Sequence, residues 1–234
     1  MTIQLILFDI DGTLLLPKGV GRESTRLAMR EVFGTEAALD QHHFGGKTDW
    51  YTLHELLSEQ GYTEDRIGQM MPVYERALVR HLEQIIGGFL VEACPGALAA
   101  VSELRQRGLL LGVITGNVST TAPVKLRAAG FDPTWFPIGA YGSEAADRNS
   151  LPFLALERAQ RYCQRELTPE QVVIVGDTPA DVACARALGA IAVAVRTGFS
   201  SQETLEATAP DYLLADLSEF CETVLNSTRT SQQL

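Results

Sequence analysis

No run in this chain is long and apolar enough to cross a membrane as a helix, which argues against a membrane-embedded protein. Basic residues are scarce. Nineteen Lys and Arg face 29 Asp and Glu, for a formal net charge of −10. Nucleic acids and anionic membranes are bound by Lys/Arg surfaces, so neither is an expected partner. A small anionic substrate remains compatible, because a metal ion and a few placed cations can set the local field. The four cysteines, Cys94, Cys163, Cys184 and Cys221, are far apart and form no CxxC pair. That spacing disfavours a zinc site and suits free, buried thiols in a reducing cytoplasm. The four histidines, His42, His43, His54 and His81, show no metal-ligand spacing and read as surface or packing residues. The N-terminus has no basic segment before its first apolar run and does not read as a signal peptide.

A chain of 234 residues suits one or two domains. Short apolar runs recur at Leu5–Phe8, Leu110–Ile114, Val172–Val175, Ala190–Val195 and Tyr212–Leu214, with a weaker one at Pro137–Tyr141. They do not alternate with polar residues, as expected of strands buried on both faces in a parallel sheet. Helical stretches lie between them, at Gly96–Arg107, Thr120–Ala129, Leu151–Glu166 and Ala180–Leu188. Alternating strand and helix predicts an α/β fold: a Rossmann-like, doubly wound parallel sheet. Residues 17–94 break the rhythm. Arg22–Phe33, Trp50–Gln60 and Asp65–Leu82 carry helical patterning, although Pro72 is expected to kink or divide the last. This predicts an all-helical domain at 17–94 inserted into a core formed by 1–16 and 95–225. The Ser/Thr/Gln-rich tail at 226–234 is expected to be disordered.

The strongest polar signals fall just after strands. The first run ends in Asp9-Ile10-Asp11-Gly12-Thr13, the second in Thr115-Gly116-Asn117, and the Val172 run in Gly176-Asp177-Thr178-Pro179-Ala180-Asp181. In open α/β sheets ligands bind beyond the carboxyl ends of the strands, so these residues can converge. Several carboxylates in one place repel one another and need a cation. Hard oxygen donors without a nearby histidine select Mg²⁺ over zinc. An ionised carboxylate can attack phosphorus and leave an acyl phosphate for water to hydrolyse. A second carboxyl must give a proton to the leaving oxygen and later take one from water. Two aspartates two residues apart at a strand end can meet both needs. The alternative for each is a solvated turn or a helix cap.

Asp9-x-Asp11-Gly12-Thr13, Ile114-Thr115-Gly116-Asn117 and Gly176-Asp177-x-x-x-Asp181 resemble motifs I, II and IV of the haloacid dehalogenase-like superfamily, over about residues 3–220. The place of the helical insert, after motif I, resembles the C1 cap of the phosphoglycolate phosphatase and β-phosphoglucomutase branch. The resemblance implies a nucleophile and metal ligand at Asp9. It implies a general acid/base at Asp11, which would bind Mg²⁺ through its backbone carbonyl. Thr115, with Gly116 and Asn117, would bind the transferring phosphoryl group. Asp177 would be a direct metal ligand, and Asp181 would act from the outer sphere or orient waters. The acid at Asp11 sets the chain apart from the dehalogenases, which lack one there, and from the transport ATPases, which carry Lys.

Motif III departs from the pattern. It usually supplies a Lys, often before Pro, whereas the matching stretch here is Asp147-Arg148-Asn149-Ser150-Leu151-Pro152. Arg148 is the expected replacement, and Lys125 the weaker candidate. In the insert, Gly45-Gly46-Lys47-Thr48-Asp49 resembles the cap's substrate-specificity loop and otherwise reads as a plain turn; Lys47 is the residue there that can reach a substrate anion. The expected activity is Mg²⁺-dependent hydrolysis of a small phosphorylated metabolite by a cytoplasmic monomer or homodimer. The alternatives are a phosphomutase of the same branch and, because of motif III, a non-catalytic phosphometabolite-binding protein.

Overall fold

The computed structural model describes residues 2–225; the expectation for 226–234 lies outside them. The chain opens with β1 (Leu5–Phe8) and a short β2 (Leu15–Leu16). Three helices follow: α1 (Val20–Phe33), α2 (Asp49–Leu57) and α3 (Glu64–Ile85). Then β3 (Glu92–Ala93) pairs antiparallel with β2. The rest alternates: α4 (Ala97–Gln106), β4 (Leu110–Thr115), α5 (Ala122–Ala128), β5 (Ile138–Tyr141), α6 (Leu151–Cys163), β6 (Val172–Gly176), α7 (Pro179–Leu188), β7 (Ile191–Val195), α8 (Gln202–Ala207) and β8 (Tyr212–Leu214).

Among the described residues, six strands form one parallel sheet in the order β5-β4-β1-β6-β7-β8. The fold is therefore α/β and Rossmann-like, as the apolar runs predict. Each strand is covered on both faces. In β1, Ile6 and Phe8 enter one core with Val101 and Leu104 of α4. Leu5 and Leu7 point the other way, into a core with Ala155 of α6 and Ala185 of α7. All four β1 side chains are fully enclosed. At about 1.5–3 kcal/mol per buried large apolar side chain, this strand is among the most firmly held parts of the molecule. The chain builds outward from β1 to β4 and β5, then returns to β6 on the opposite side. The carboxyl end of β1 is thus a switch point, where crossovers diverge and leave a crevice.

Helices α1, α2 and α3 share a third core, including Met29, Leu53, Ile67, Tyr74 and Leu78. Thr48 and Thr63 cap α2 and α3, their side chains accepting from the N–H groups of Tyr51 and Arg66. Pro72 lies inside α3, and of the two expected outcomes, a kink or a division, the division does not occur. Pro72 is exposed, and the carbonyl it deprives of a donor is that of half-buried Gly68. Buried Met71 and Tyr74 beside it are both held in the one core.

Candidate active site

Asp9 follows β1 directly, and its N–H continues the sheet ladder to the carbonyl of Val175, 2.8 Å away. Gly12 then turns the chain with φ +95°, and a Cβ there would lie 2.5 Å from Asp177 Oδ2. Only glycine meets both demands, the left-handed backbone and the close approach. The turn leaves Asp9 buried at 6% exposure and Asp11 beside it on the wall of a cavity of about 620 Å³.

Asp177 lies just beyond β6 and is fully buried. Its Oδ1 accepts from Thr13 Oγ1 at 3.3 Å and its Oδ2 from the Phe199 N–H at 2.9 Å. Asp181 sits in the first turn of α7, where it forms a capping box with Thr178. Its Oδ2 accepts from the Thr178 N–H at 3.0 Å and Oγ1 at 2.7 Å. Its Oδ1 accepts from Arg148 Nη2 at 2.5 Å. The same Nη2 lies 3.2 Å from Asp9 Oδ1. Arg148 belongs to a single helical turn ahead of α6 and is itself buried.

Thr115 and Asn117 close the site from β4. Asn117 Nδ2 donates to Asp11 Oδ2 at 3.0 Å and to Thr115 Oγ1 at 2.8 Å. Lys125, on α5, donates to Asp11 Oδ2 and to Asn117 Oδ1, both at 2.6 Å. The two candidate cations are therefore both in the site, on different acids.

Burial pushes the Asp9 carboxyl well above the ordinary carboxylate range; Arg148 pulls it down, while Asp181 and Asp11 push it up again. Asp177 is raised by burial, then by Asp181 and Asp9. Four acids thus face two cations, Arg148 and Lys125. Asp9, Asp177 and Asp181 each offer a carboxylate oxygen, all within 4.8 Å of one another. The excess of negative charge and the all-oxygen donor set fit a hard divalent cation.

Lys47 lines the cavity, but its ammonium is paired with Glu55 and lies over the Tyr51 ring. Gly116 also lines it, and a Cβ there would lie 2.0 Å from the Lys47 carbonyl. His42 is a packing residue against Thr52 and Phe44, whereas His43 lines the cavity. Asp49 has a role that sequence reasoning did not assign. Its N–H donates to the Gly116 carbonyl at 2.8 Å, and its Oδ2 accepts from the Val118 N–H at 2.9 Å. An acid in the first turn of a helix reads in sequence as a complement to the helix dipole, which hides such a tie.

A model of the haloacid dehalogenase-like hydrolase family matches residues 3–189. The chain belongs to that family. Among curated relatives, this hydrolase is 28% identical over 228 residues to a phosphoglycolate phosphatase of Synechococcus elongatus, covering 95% of this chain and 97% of that one. It is 24% identical over 220 residues to the pyrophosphatase PpaX of Bacillus mycoides, covering 94% and 95%. Two solved structures show the same fold. A hydrolase from Pseudomonas syringae aligns with a TM-score of 0.71 at 19% identity, covering 95% of this chain and 98% of that one. CbbY from Rhodobacter sphaeroides, in complex with phosphate, aligns with a TM-score of 0.69 at 19% identity, covering 94% and 96%. Among the described residues, no helix of the hydrolase is long and apolar enough to cross a membrane.

Proposed function

We propose that this hydrolase is a phosphatase that cleaves a small phosphomonoester, of the phosphoglycolate or sugar-phosphate class, through an aspartyl phosphate on Asp9. The observation that carries this reading is the difference in surroundings between two neighbouring acids. Asp9 is buried and ion-paired with Arg148, while Asp11 has one oxygen bonded by Lys125 and Asn117 and one without a partner among the described residues. In the first step an Asp9 oxygen bonds to phosphorus. The bond from phosphorus to the leaving oxygen breaks, and that oxygen takes the proton of Asp11. In the second step a water oxygen bonds to phosphorus and the Asp9–phosphorus linkage breaks. Asp11 takes back a proton, and inorganic phosphate leaves. Thr115 and the amide of Gly116 would bind the phosphoryl oxygens, and Arg148 would hold Asp9 ionised and aligned.

Asp9 and Asp177, with the backbone carbonyl of Asp11, would hold Mg²⁺. Asp181, bonded by the Arg148 guanidinium and twice by Thr178, would take the indirect role that the resemblance implies. Bound Mg²⁺ supplies charge that offsets the acid cluster and polarises a phosphoryl oxygen.

The helices at 17–94 would act as a cap over this core, with the core at 1–16 and 95–225. The chain crosses at β2 and β3, which are paired side by side and tied by a Lys18–Glu92 ion pair of 2.8 Å. The left-handed residues Lys18, Gly19 and Gly96 flank the crossings and suit a hinge. Closure would exclude water from the first step. The four free cysteines suit a reducing cytoplasm.

The test is phosphate release from a panel of phosphorylated metabolites, including 2-phosphoglycolate and hexose phosphates, with Mg²⁺ and with excess EDTA. Release from at least one monoester, lost in EDTA, is the expected result. Isomerised sugar phosphate without free phosphate would instead identify a mutase. Release from pyrophosphate alone would move the substrate class to phosphoanhydrides.

A further inference from the structure

The second cation of the site has a geometry that separates it from the first. Lys125 is 5% exposed in its side chain and donates to Asp11 Oδ2 and Asn117 Oδ1. Asn117 returns to the same Asp11 Oδ2 through Nδ2. One oxygen of Asp11 therefore receives two N–H donors, and the other, Oδ1, is buried and has no partner among the described residues. Arg148 does not touch this pair; its contacts are Asp9 and Asp181.

We propose that Lys125 is the positioning residue of Asp11: with Asn117 it fixes the carboxyl plane at the cavity wall. The proposal rests on the reading of Asp11 as acid/base. The superfamily's single motif III lysine would here be divided in two, with Arg148 serving the nucleophile and Lys125 serving the proton donor. Lys125 is placed for this by α5, which begins after the motif II loop and turns the ammonium back toward the end of β1. Its Nζ lies only 3.3 Å from where a Cβ on Gly21 would stand, so the first turn of α1 also closes over it.

The test compares leaving groups in a single turnover. The alcohol of 2-phosphoglycolate leaves as a poor anion and needs the proton, whereas 4-nitrophenolate leaves without one. Release of each alcohol would be followed by rapid quench for the parent, Lys125→Met, Lys125→Arg and Asp11→Asn. Asp11→Asn is expected to slow release from 2-phosphoglycolate about 10²–10⁴-fold, and release of nitrophenolate less than about tenfold. Lys125→Met is expected to show the same asymmetry, with a loss of about 10²-fold on the alkyl ester. Lys125→Arg should regain part of it, because the charge survives while the contact geometry changes. Equal loss on both substrates in Lys125→Met, with Asp11→Asn still asymmetric, would overturn the proposal and leave the acid reading standing. So would a Lys125→Met enzyme at parental rates. Equal loss on both in Asp11→Asn would overturn the acid reading itself, and the proposal with it. Should Lys125→Met fail to fold, Lys125→Arg carries the test: an unequal loss supports the proposal and an equal loss overturns it.

Discussion

The Nη2 of Arg148 lies 3.2 Å from Oδ1 of Asp9, inside a part of the molecule where both side chains are almost wholly enclosed. Burial opposes the guanidinium charge, but Asp181 and Asp9 outweigh it and hold the Arg148 pKa above its usual value. Arg148 therefore stays charged at any working pH. Removal of one buried electrostatic stabiliser costs about 10²–10³-fold in turnover. Arg148→Ala is expected to lose that much in kcat. Arg148→Lys should keep part, because the charge survives and the planar fork does not. Steady-state kinetics on the best substrate of the panel decide the point; parental kcat in Arg148→Ala would remove Arg148 from the chemistry.

Asp49 offers a test that does not depend on activity. Part of its surface lines the cavity, but its carboxyl lies deep, and burial pushes its pKa from 3.8 up to about 6. Lys125 and the Val118 N–H pull against this shift, and Asp11 and Glu75 add to it. Between about pH 4 and 6 the folded protein keeps a proton that the unfolded chain has lost. Stability contributed by this group therefore falls as pH rises through that window and stays low above it. An Asn side chain can still accept from Val118 and carries no charge. Asp49→Asn is expected to exceed the parent in stability by about 1–2 kcal/mol above pH 6, a figure discounted for water in the cavity, and to match it below about pH 4. Urea unfolding at both pH values measures this, and a difference independent of pH would contradict it.

Mg²⁺ should stabilise the fold as well as activate it. Burial and mutual repulsion raise the carboxyls of Asp9 and Asp177, so without a metal the ionised cluster opposes folding near neutral pH. A ligand at a hundred times its dissociation constant adds about 2.7 kcal/mol. Thermal unfolding in millimolar Mg²⁺ is expected at a higher temperature than in EDTA, by several degrees, and Asp177→Asn should abolish the difference. Identical melting in Mg²⁺ and EDTA would contradict the metal assignment.

Much of the core was legible because burial on both faces leaves a direct imprint. Leu5–Phe8 and Tyr212–Leu214 coincide with β1 and β8, and the other apolar runs differ from their strands by one residue at an end. The candidate acids were legible for a related reason. A parallel sheet brings its strand ends together, and Asp9, Thr115 and Asp177 all stand at such ends. What the sequence left hidden depends on distance rather than pattern. Nothing in the spacing of Lys125 and Asp11, 114 residues apart, shows that they meet. Nor does the sequence show that the Lys47 ammonium is held by Glu55, in the second turn of α2. Whether Pro72 would divide α3 was likewise not legible, because the flanking core residues Met71 and Tyr74 keep the helix in one piece.

The central claim is a phosphoryl group held covalently on Asp9. The direct measurement is rapid acid quench of the enzyme with substrate and Mg²⁺, then borohydride reduction of the acyl phosphate and mass spectrometry of the peptide carrying Asp9 and Asp11. Asp9 alone is expected to be reduced, within the time of one turnover. The mark should be missing in Asp9→Asn, which should be folded and inactive. A mark on Asp11, or phosphate release by Asp9→Asn at parental rates, would contradict the mechanism.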